Sequence, residues 1–112
     1  MHSLSQKENT LLNLFFQGGF TIHQVVSGDD TFRICLLAPN KQDDVTIEFS
    51  WMPLGVSGRR YSAFVESSIT LPGDWAEPHV LLDVSQRWEG DPDEYQPEFD
   101  PQEVFNLFWT KR

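Results

Sequence analysis

Residues able to ligate a metal or act as nucleophiles are few and scattered: His2, His23, His79 and the single cysteine, Cys35. Zinc sites and Cys/His catalytic pairs need ligands at short, patterned spacings or brought together by the fold. No such spacing occurs here, so no catalytic or metal-binding residue is assigned. Only the fold could assemble His23, Cys35 and His79, all of which fall on predicted strands. Gly55-Val56-Ser57-Gly58 has no following lysine and helix, as a phosphate-binding loop requires, and no glycine two residues after the serine, as a nucleophile elbow requires. Asp91-Pro92-Asp93 begins like a calcium loop. Gln96 then stands where glycine is needed and Gln102 where a bidentate glutamate is needed. No cofactor is expected. Arg59-Arg60 could hold a phosphate or carboxylate, or balance nearby acids.

Charge is more informative than these residues. Seventeen acids against eight bases give a formal charge of -9, which repels nucleic-acid phosphates and anionic membranes and attracts basic proteins. Seven of the seventeen acids lie within residues 89–103. Glu89, Asp91, Asp93, Glu94, Glu98 and Asp100 therefore form the candidate partner-binding surface, with Tyr95 and Phe99 as apolar anchors. The competing reading is a solvated linker whose aromatics pin it to the domain. The sequence thus points to a noncatalytic binding or inhibitor protein that engages a basic protein surface; a sharper version of the same reading is an immunity or nucleic-acid-mimic protein, whose basic partner binds nucleic acid. Two alternatives remain open: a small-molecule-binding domain or small enzyme with an aromatic-lined pocket, and an acidic secretion-type chaperone. A monomer or homodimer is expected, with no direct contact to nucleic acid or membrane. One cysteine excludes an internal disulfide and fits a reducing compartment, and the apolar run Leu11–Phe16 is too short to span a bilayer. A cytoplasmic location follows as the expectation.

The 112 residues suit one domain. Ser5 and Glu8 form a capping box that starts a helix over residues 4–17, stopped by Gly18-Gly19. The period then changes to two. Phe20, Ile22 and Val26 mark one strand, and Phe32, Ile34, Leu36 and Ala38 a second, joined as a hairpin. Val45, Ile47, Phe49 and Trp51 alternate with polar residues in a third, and a fourth covers residues 60–71. Asp74 and Glu77 could cap a helix, but Val80, Leu82 and Val84 favour a strand at 79–86. Pro92, Pro97 and Pro101 make 89–101 an extended surface loop, after which Asp100 caps a last helix. Leu11–Phe16 and Val104–Trp109 share one apolar pattern, so both helices need the same kind of cover. The expected fold is α+β, a five-stranded mainly antiparallel sheet with an N-terminal and a C-terminal helix packed on one face.

Overall fold

Chain order in the computed structural model, which describes residues 4–55, 57–69 and 77–111, runs helix, five strands, helix. The elements are α1 (Gln6–Gln17), β1 (Thr21–Ser27), β2 (Thr31–Leu37), β3 (Asp44–Pro53), β4 (Arg59–Ile69), β5 (Glu77–Trp88) and α2 (Pro101–Lys111), with a single 3-10 turn at Pro92–Glu94. Successive strands pair antiparallel in the order β1-β2-β3-β4-β5. The expected α+β architecture is present.

Local chemistry explains where each helix begins. The Glu8 backbone N–H donates to Ser5 Oγ at 3.3 Å, and the Ser5 N–H donates to Glu8 Oε1 at 2.7 Å. These two bonds use backbone donors that no helical carbonyl can reach. At the other end of the chain the Gln102 N–H donates to Asp100 Oδ1 at 3.0 Å, and Pro101, which lacks an N–H, opens α2.

The pleat divides the sheet into a dry and a wet face. Ile34 and Leu36 of β2, Val45, Ile47 and Phe49 of β3, and Tyr61, Ala63 and Val65 of β4 are all buried. The helices cover this face with Leu11, Leu12, Phe15, Val104 and Phe108. The two matching segments meet: Phe15 packs edge-on to Phe105 and Phe108, and Phe20 edge-on to both Phe15 and Phe108. Four rings therefore lock the two helices together. On the other face Arg33, Cys35, Glu48, Ser62 and Phe64 are exposed or half-buried.

Bulges account for the main departures from simple alternation. A register shift between Ile22 and Gln24 places Ile22 and Val25 opposite the inward-facing Leu36 and Ile34, while Val26 stands opposite the outward Arg33. Ile22 and Val26 therefore lie on different faces, contrary to the strict period of two. A second shift, at Val65/Glu66, buries Leu81 and turns Val80 outward at 53% exposure. An added residue rotates the side chains that follow it by one step of the pleat. The fifth strand is also longer than 79–86, running from Glu77 to Trp88. Asp74, the alternative cap before it, lies outside the described residues, as do His2 and the turn Leu71-Pro72-Gly73.

Candidate functional site

The acidic segment is less of a surface loop than its prolines suggest. From Glu94 to Asp100 exposure alternates strictly: Tyr95, Pro97 and Phe99 are buried, while Glu94, Gln96, Glu98 and Asp100 are exposed. Tyr95 is 7% and Phe99 8% exposed. Tyr95 meets Trp51, Tyr61 and Trp88, and Phe99 stacks on Phe49 with the ring planes 8° apart. Both aromatics therefore belong to the core and leave little of their rings exposed. They fix the backbone that carries the acids.

Polar contacts fix that backbone further. The Trp88 indole Nε1–H donates to the Asp91 carbonyl at 2.9 Å, and Asp91 Oδ1 accepts the Asp93 N–H at 3.0 Å. Gly90 lets the indole lie close to the backbone, since a Cβ there would be 3.2 Å from three indole atoms of Trp88 and would push the ring aside by a few tenths of an ångström. Lys7 Nζ donates to the Pro97 carbonyl at 2.8 Å, and the Tyr95 hydroxyl donates to Gln86 Oε1. Burial, and then the negative charge of Glu98, raise the Tyr95 phenol above its ordinary range.

Sheet topology adds acids that the sequence reading did not group with this segment. In an up-and-down sheet the β1–β2 turn, the β3–β4 loop and the exit from β5 share one end. The Trp51 N–H donates to the Asp30 carbonyl at 2.9 Å, holding the first turn against β3. A cleft of about 310 Å³ results, lined by Asp29, Asp30, Asp91 and Asp93 together with Trp51, Tyr95 and one guanidinium, that of Arg59. The signal that could have found it is Asp29-Asp30 in the first hairpin turn, which a five-strand meander must place beside the end of β5.

The remaining sequence candidates separate in space. Arg59 and Arg60 do not act as a pair: Arg59 lines the acidic cleft, while Arg60, on the opposite face, donates to Ser85 Oγ at 3.2 Å. Glu89 is exposed and accepts from Arg87 at 2.9 Å, a surface pair worth about 0–1 kcal/mol. His23 and His79 lie on opposite edge strands, four strand spacings or about 19 Å apart. Cys35 accepts a weak bond from Thr46 Oγ1 at 3.9 Å on the outer face. Among the described residues, no cluster of His, Cys, Asp and Glu has the arrangement of a metal site, and no helix is long and apolar enough to cross a membrane.

The candidate site is thus an acidic end: Glu89, Asp91, Asp93, Glu94, Glu98 and Asp100 exposed on an anchored segment, with Asp29 and Asp30 beside its beginning. Comparison with protein families, curated proteins and solved structures finds no match to this chain.

Proposed function

We propose that this chain is a noncatalytic, cytoplasmic binding protein whose acidic end engages a basic surface on another protein, and that its partner is of the nucleic-acid-binding kind, inhibited by occupation of that surface. One observation carries the reading: the exposed acids stand on a backbone held by Tyr95, Pro97 and Phe99. Carboxylates on a mobile tail would have to be ordered on binding. Those on an anchored segment lose less entropy and can present a fixed pattern of charge. The cleft beside them adds Asp29 and Asp30 within reach of the same partner. Such an arrangement speeds encounter with a positively charged protein and rejects acidic ones.

Association of the full chain with a basic protein recovered on it tests this reading. Affinity should fall at least about tenfold as salt rises from about 0.05 to about 0.5 M. The combined variant Asp91→Asn, Asp93→Asn, Glu94→Gln, Glu98→Gln should associate more slowly while unfolding at the same temperature. Salt-independent binding, or unchanged association of the folded variant, would overturn the assignment.

A further inference from the structure

We infer that β1 is an interface with a second copy of this chain, the two β1 strands pairing antiparallel about a two-fold axis so that two five-stranded sheets join edge to edge. This interface does not depend on the basic partner proposed for the acidic end. All seven residues of β1 are exposed, and among the described residues no element pairs with its outer edge. Ile22, Val25 and Val26 are 58%, 45% and 51% exposed, so this one strand supplies three of the six large exposed hydrophobics of the described chain. They stand on both faces, Ile22 and Val25 with the helices and Val26 opposite. A neighbouring strand would cover both faces at once.

The two sheet edges differ in how they are protected. Free edges are usually guarded by charged residues, prolines, bulges or a covering element. The β5 edge has three of these: the charged Asp83 and Arg87, a bulge, and contact with α2. Between Thr21 and Ser27 there is no Asp, Glu, Lys, Arg or Pro. The bulge at His23 bends only the start of the strand, and Gln24 to Ser27 pair regularly with β2. Four residues of regular, uncharged edge are left open, with Val25 and Val26 at their centre.

Charge identifies the occupant. In a chain of net charge -9, a basic partner gains no Coulomb attraction along a strand without acids, whereas a second copy meets less repulsion there than at the acidic end. Antiparallel pairing also separates the acids at the turns. Asp29 and Asp30 follow each β1 directly, and strands of seven residues set the two turns about 20 Å apart, beyond a screening length of about 8 Å. Parallel pairing would set them side by side. The same two-fold axis brings like faces together, so Val25 and Val26 each gain apolar neighbours from the copy.

Sedimentation velocity on the full chain, from about 5 to about 500 µM, tests the interface, with Val25→Lys/Val26→Lys as the disrupting variant. The unaltered chain should dimerise as concentration rises, and the variant should dimerise at least about tenfold more weakly with an unchanged circular-dichroism spectrum and thermal midpoint. A chain that stays monomeric throughout, or a folded variant that dimerises equally well, would overturn the proposal. Should the variant fail to fold, hydrogen exchange on the unaltered chain decides. Backbone amides of Thr21–Ser27 that do not bond β2 should gain protection with concentration, and protection that does not change would overturn it.

Discussion

Glu8 is half of a capping box, yet it is also 1% exposed and receives the Tyr61 hydroxyl on Oε2 at 2.7 Å. The cap explains how a carboxylate is tolerated there. One oxygen is held by the backbone of α1, the helix N-terminus favours negative charge, and β4 supplies a donor to the other oxygen. Burial, then the charge of Glu8 and its hydrogen bond, push the Tyr61 phenol far above its ordinary range. The folded state therefore favours the neutral phenol. Its contribution is complete below about pH 10 and is lost as pH rises further, by about 1.4 kcal/mol per pH unit for one proton. Tyr61→Phe should lower stability at neutral pH by about 1.5–3 kcal/mol through loss of a bond to a charged acceptor. Above about pH 10 the variant should lose stability less steeply than the parent, leaving the raised Tyr95 as the remaining contributor. Urea unfolding of both chains at neutral and alkaline pH measures the difference, and parallel slopes would remove Tyr61 as its source.

Among the elements, the segment between β5 and α2 shows most clearly what sequence reasoning can and cannot see. Its alternation from Glu94 to Asp100 is as regular as that of β3, but the prolines argue against a sheet position and so hide the burial of every second residue. Aromatic-aromatic packing across the sheet, not backbone pairing, holds it. Phe99→Ala should therefore cost about 3–5 kcal/mol, the usual penalty for emptying a buried ring site. Asp93→Asn and Glu94→Gln, both on exposed residues, should each stay within about 0.5 kcal/mol of the parent. Chemical denaturation checks the contrast, and a small effect of Phe99→Ala would return the segment to the status of a linker. The capped helix ends and the strands β2 and β3 were legible because the decisive partners are local: Ser5 with Glu8, Asp100 with Pro101, and polar residues between Val45, Ile47 and Phe49. The faces of Val26 and Val80 were not, because a bulge is defined by the neighbouring strand and leaves no separate mark on its own. Grouping Asp29 and Asp30 with the acidic segment likewise required the order of all five strands.

At the scale of the molecule, the acidic end and the bare edge point in different directions, and this separates two ways in which copies could associate. The chain measures 51 × 24 × 23 Å. The twelve residues of β5 extend roughly 40 Å and five strands span roughly 24 Å, so the long dimension follows the strands. Pairing of two β1 edges widens this body without lengthening it. Association through the strand ends would stack the copies lengthwise and set two groups of carboxylates against each other. Small-angle scattering at a concentration where the chain is dimeric should therefore show a doubled mass with a maximum dimension increased by less than about half. An end-on dimer would approach twice the 51 Å length. With edge pairing the two acidic ends point away from each other and both stay open to the basic partner proposed for them, so binding of such a partner should saturate at one per chain. A dimer that lengthens, or that saturates at one partner per two chains, would mean that the acidic ends are occluded in the assembly, and edge pairing leaves them free.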